Sequence, residues 1–131
     1  MVYIILYYII HYPIHYFTMF FEELNKIQQV NYYIRFRSEG PSKASQLVEL
    51  FAPNGILTDS EGKTHQGCNN LLSYFQQEQP KPTSSQDPEM LDDGRVVVKF
   101  TVYKFFMTWK IHAYFEFDNK NLLKSVVVER Q

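Results

Sequence analysis

The sequence is poor in the residues that most readily declare a chemistry. It holds one cysteine, Cys68, among 131 residues, which excludes an internal disulfide and any multi-cysteine metal site. Thirteen basic side chains face fourteen acidic ones, for a formal charge of -1. No basic excess exists to hold a nucleic-acid backbone, so no nucleic-acid partner is expected. A phosphate-binding loop, a dinucleotide glycine pattern and a nucleophile elbow are all missing, so no cofactor is expected either. His11 and His15 have a helical metal-ligand spacing, but Pro13 between them and the want of a carboxylate partner argue against a metal.

Charge is also missing from one end. No Lys, Arg, Asp or Glu precedes Glu22, and eight aromatic residues fall within residues 1–21. A run of this length approaches the roughly 20 apolar residues that a bilayer span needs. A secretory signal fits badly without a basic leading region or a small-residue cleavage site, and a cytoplasmic location is expected. His11, Pro13, His15 and Thr18 interrupt the run, and tyrosine prefers membrane interfaces to the hydrocarbon centre. Residues 1–18 therefore read as a dispensable extension, a membrane-associating segment or an element packed on the domain. Met19 opens the folded domain, 19–131.

What remains is an ordinary globular balance, 45% hydrophobic and 21% charged, enough for one domain with a real core. Residues 20–37 read as a helix with Phe20, Leu24, Ile27, Asn31 and Ile34 on one stripe. After Gly40-Pro41, Ser42 is placed to cap a second helix whose stripe is Ala44, Leu47, Val48 and Phe51. Pro53-Asn54-Gly55 is read as its stop. A short hairpin around Glu61-Gly62 follows, with His65 opposite Thr58. Gly67 opens a third helix striped by Cys68, Leu71, Leu72 and Phe75, with Cys68 read as a buried, inert thiol. Residues 79–88 form a loop or an irregular edge strand.

The rest is strand. Asp93-Gly94 turns the chain into a run with Val96, Val98, Phe100 and Val102 on one face. A reversal at Met107-Thr108 leads to Trp109, Ile111, Ala113, Phe115 and Phe117 on one face, and Lys110, His112, Tyr114 and Glu116 on the other. A last strand covers 122–130. Segregated helices and strands predict an α+β fold: three N-terminal helices packed in a strongly curved antiparallel sheet, with a cone-shaped cavity at its open end.

Layout and local motifs resemble the nuclear transport factor 2-like superfamily, which includes ketosteroid isomerases and polyketide-cyclase-like proteins. The pieces are Leu50-Phe51-Ala52-Pro53-Asn54-Gly55, the strand leading to Asp59, Gly67, Asp93-Gly94-Arg95-Val96 and Phe115-Glu116-Phe117-Asp118, over about residues 20–131. In the ketosteroid isomerase branch an aspartate at the end of the first strand moves a proton, and Asp59 falls on it. A helix-one tyrosine falls on Tyr33, or on Tyr32 beside it. The branch's second hydrogen-bond donor, a protonated acid, falls on Ala113, which cannot donate. The resemblance also implies a homodimer formed through the sheet.

Each candidate has a plainer role. Asp59 reads more often as a solvated turn residue, Tyr33 as a core or interface aromatic, His65 as a surface strand histidine that could also pair with a carboxylate or act as a general base, and His112 as a sheet-face or dimer-interface residue. Leu57, Trp109, Ala113 and Phe115 are expected to line a site for a small apolar ligand. The expected function is a non-catalytic ligand-binding or protein-assembly module. The alternative is a ketosteroid-isomerase-like enzyme that moves a proton on a small apolar carbonyl compound, with Asp59 as base and Tyr33 as donor.

Overall fold

The structure, a computed structural model, describes residues 14–79 and 81–131, with side chains from residue 21 onward. Helix α1 covers Ile14–Glu39. It runs through the expected junction at 18–20, while residues 1–13, His11 included, lie outside the described residues. Its buried face is rotated from the expected stripe. Val30 and Tyr33 are buried and Ile27 and Ile34 pack beside them, whereas Leu24 and Asn31 are exposed. At 3.6 residues per turn, 27, 30, 33 and 34 share one side, and 31 lies a quarter turn away. Gly40 ends the helix at φ 97°, a conformation that L side chains rarely adopt.

A 3-10 turn, Pro41–Lys43, leads into α2, Ala44–Glu49. Ser42 lies inside that turn, and no side chain caps α2. The helix ends before Phe51, which instead opens strand β1, Phe51–Thr58. Pro53-Asn54-Gly55, expected as a helix stop, is an irregularity within β1, where the pairing register to β7 (Leu123–Arg130) shifts between Phe51 and Ile56. Gly55 is needed there: a Cβ would lie 2.9 Å from the Phe51 ring and 3.0 Å from the Leu123 carbonyl.

Strand β2, Thr64–Gln66, pairs with β1, with His65 opposite Leu57 and Thr64 opposite Thr58. The expected pairing of His65 with Thr58 is thus off by one, because the loop spans residues 59–63. Gly67 precedes α3, Cys68–Phe75, which buries Leu71 and Phe75. Cys68 is exposed, contrary to expectation. It occupies the first turn, ahead of the part of the helix that meets the core.

Edge strands β3, Pro82–Ser85, and β4, Glu89–Met90, both pair with β5, Val96–Lys104. Strand β6, Met107–Phe117, completes a seven-stranded sheet in the order β2-β1-β7-β6-β5-β3, with β4 also on β5. The turn between β5 and β6 is at Phe105-Phe106, two residues before the expected reversal. Every pairing is antiparallel except β1 with β7, which is parallel. The sheet is therefore mixed and stays open, and the fold is α+β. Val96, Val98, Ala113, Phe115, Leu123 and Val126 face the helices and bury against Val30, Tyr33, Leu47, Leu71 and Phe75.

Candidate functional site

A cavity of about 510 Å³ opens between the helices and the inner face of the sheet toward the β5–β6 turn. Alternation along the strands supplies its sheet wall: Val98 and Phe100 from β5, Trp109, Ile111, Ala113 and Phe115 from β6. Its helical wall carries Tyr33, Ile34 and Arg37 from α1, and Tyr74 and Phe75 from α3. The residues at 33, 34 and 37 share one face of α1 by helical spacing.

Tyr33 is held by an aromatic cage. Its ring meets Phe115 at 5.1 Å and 76°, Phe75 at 6.0 Å and 75°, and Phe51 at 6.4 Å. These edge-to-face contacts fix the ring. Burial pushes its hydroxyl up to about 12, against the pull of the Arg37 charge, so the phenol stays neutral and able to donate. Tyr74 is also raised by burial, opposed by Arg37 and assisted by the negative charges of Asp59 and Glu61. The Arg37 guanidinium lies 5.5 Å from the Tyr74 ring centroid and 5.3 Å from that of Phe75. Arg130 lies 4.5 Å from the centre of the Trp109 ring at the sheet side, and Trp109 Nε1 donates to the Lys104 carbonyl at 3.2 Å.

Asp59 has different partners. Its Oδ1 accepts the backbone N–H groups of Glu61 and Lys63, both at 3.0 Å. Its Oδ2 lies 3.1 Å from His65 Nε2, and the His65 ring lies against Tyr74 with centroids 4.3 Å apart, tilted by 36°. Partial burial pushes the carboxyl up, but the hydrogen bonds from His65, Lys63 and Glu61 together outweigh it and hold Asp59 below its ordinary value.

Of the residues singled out from the sequence, Tyr33, Trp109, Ala113 and Phe115 line the cavity together. Asp59 and Leu57 are not among its lining residues; Leu57 is fully buried in the core, and the neighbours of Asp59 in the loop, Ser60 and Glu61, reach the cavity instead. His112 is on the opposite sheet face, with Nδ1 3.4 Å from the Tyr114 hydroxyl. Sequence reasoning missed Arg37 and Tyr74. Arg37 follows Tyr33 by four residues, and that spacing on a helix was the available signal. Among the described residues no group of three His, Cys, Asp or Glu side chains could hold a metal. No described helix is long and apolar enough to cross a membrane.

This architecture is the nuclear transport factor 2-like fold, and solved structures with the same fold bear it out. A nuclear transport factor 2-like protein of unknown function from Burkholderia xenovorans superposes with a TM-score of 0.67 at 12% identity, over 84% of this chain and 85% of that one. The epoxide hydrolase/cyclase-like enzyme SalBIII, of pyran ring formation in the polyether salinomycin, gives 0.65 at 16% identity, over 83% and 92%. The canthaxanthin-binding orange carotenoid protein of Anabaena gives 0.56 at 19% identity, over 77% of this chain and 35% of that one. No protein-family model and no curated protein sequence matches the chain. The neighbours thus include an enzyme, a canthaxanthin-binding protein and a protein of unknown function on one fold, and the fold alone does not choose among these roles.

Proposed function

We propose that this chain is a non-catalytic binding module that holds a small, mostly apolar molecule in the cavity between α1, α3 and the inner face of β5 and β6. The observation that carries this reading is the division of the candidate residues. Tyr33, Trp109, Ala113 and Phe115 line one chamber, while the carboxylate of Asp59 is engaged by two backbone N–H groups and by His65. A general base for carbon acids works best with a raised pKa, and that of Asp59 is lowered. Ala113 supplies no second donor to an oxyanion. A volume of about 510 Å³ suits a small-molecule site, and the canthaxanthin-binding protein that shares this fold over 35% of its length is a precedent for an apolar guest.

Trp109 is the sole tryptophan, so its fluorescence reports on the cavity directly. Titration with a neutral apolar dye such as Nile red is expected to quench Trp109 saturably. The Ala113→Phe variant, which fills the chamber, is expected to lose at least tenfold in affinity while keeping its circular dichroism spectrum. Absence of saturable binding by the parent would overturn the reading.

A second reading, proton transfer on a small apolar carbonyl compound, draws on the neutral phenol of Tyr33 at the cavity wall and on the cyclase-like neighbour. Isomerisation of a conjugated-enone precursor by the parent, Asp59→Asn and Ala113→Asp proteins decides it. A rate lost with Asp59→Asn and raised with Ala113→Asp would establish the enzyme; equal rates in all three leave the binding module.

A further inference from the structure

Arg37 has no role in either reading, yet it is the most unusual group in the cavity. It is half-buried, and among the described residues it forms no ion pair; neighbouring Arg35 instead pairs with Glu39 at 3.9 Å. Taking a guanidinium out of water without a counter-charge is unfavourable. The nearby Tyr74 and Phe75 rings support the cation, and Arg37 also hydrogen-bonds to the Tyr74 hydroxyl, which leaves its other N–H groups for a ligand. The in-plane N–H groups are the part of a guanidinium that recognises planar anions two bonds at a time.

The neighbours of Arg37 suit the same ligand atom type. Tyr33 and Tyr74 both stay protonated, through burial first, and each offers an O–H. Lys81, Lys104 and Arg130 add cations to the lining, against Glu61 and Glu78. The other nearby acid, Asp59, is engaged by a hydrogen bond with His65 and by two backbone N–H groups. The remaining walls are apolar: Phe100, Ile111, Phe115 and Val128.

Building on the apolar-ligand reading, we propose that the guest is an apolar-tailed carboxylic acid. Its carboxylate is bound by the Arg37 guanidinium with the Tyr33 and Tyr74 hydroxyls, and its tail lies along the inner face of β5 and β6. The site selects acids over isosteric alcohols because only a full negative charge answers the unmatched guanidinium.

The test compares decanoic acid, decanol and decylamine by calorimetric titration of the full chain at neutral pH, with the parent, Arg37→Met and Arg37→Lys proteins, each checked by circular dichroism. The parent is expected to bind the acid roughly ten- to a hundredfold more tightly than the alcohol, the range for one charge-assisted contact, and the amine most weakly. Arg37→Met is expected to level acid and alcohol, and Arg37→Lys to restore part of the difference. Equal binding of acid and alcohol by the parent overturns the carboxylate site and leaves the apolar cavity standing. An acid preference that survives Arg37→Met also overturns it, by assigning selectivity to another cation. No binding of any of the three overturns the apolar-ligand reading and the carboxylate site with it.

Discussion

Asp59 illustrates how a residue's neighbours decide its chemistry. The loop at 59–63 folds back so that two N–H groups converge on one carboxylate oxygen, and β2 brings His65 to the other. The folded carboxyl is held below its ordinary value of 3.8. A group with a depressed folded pKa contributes stability that is present above its unfolded value and is lost as pH falls through the folded one. The melting temperature of the parent is therefore expected to fall as pH drops below 3.8, and Asp59→Asn to flatten that part of the profile. At neutral pH the same variant is expected to cost roughly 1–2 kcal/mol, because an amide accepts the turn hydrogen bonds without the charge. Parallel profiles for the two proteins below pH 4 would place the acid sensitivity elsewhere.

Among the elements, the β5–β6 hairpin is the least comfortable. Phe105 and Phe106 form its two-residue turn with φ 55° and 61°, the left-handed region that such turns require and that Asn-Gly satisfies best. Bulky side chains there cost roughly 1–2 kcal/mol each. Both are exposed, Phe106 to 93%, so burial offsets little of that cost. Replacing the pair, Phe105→Asn with Phe106→Gly, is expected to raise the melting temperature by several degrees. A lower melting temperature would mean that the two rings stabilise the hairpin through contacts of their own, such as that of Lys104 Nζ, 5.0 Å from the Phe105 ring centre.

For the molecule as a whole, two boundaries matter. The first is at the start of the domain. Helix α1 begins at Ile14, and among the residues whose side chains are described its first buried one is Val30; we expect a chain starting at Met19 to keep the fold. Such a protein is expected to unfold cooperatively, with a melting temperature close to the parent's; loss of cooperativity in thermal melts would make the first 18 residues part of the folded unit. The second is the outer face of the sheet, where Lys110, His112, Tyr114 and Glu116 alternate with the inward residues of β6. We expect a homodimer through this face, whose mixed aromatic and polar character suits an interface. Sedimentation at micromolar concentration is expected to give twice the chain mass, and a monomer would rule the interface out.

The sequence by itself determined the α+β class, the third helix and the partition of the sheet into inner and outer faces. Val98, Phe100, Ala113 and Phe115 were assignable because side chains alternate strictly along a strand, whatever the strand pairs with. Local turn chemistry was less decisive. Pro53-Asn54-Gly55 reads as a stop, and only the contacts of Gly55 with Phe51 and Leu123 make it a bend within β1. The face of α1 was likewise settled by the sheet that it meets, since Asn31 and Val30 are one residue apart and both patterns fit a helix. The site depended most on the tertiary structure. Tyr33, Tyr74 and Ala113 lie on three elements far apart in sequence, and the guanidinium of Arg37 gains its meaning from the rings of α3 and from having no ion pair among the described residues. Distances and charge balance of that kind arise only when the elements pack, so no pattern along the chain carries them.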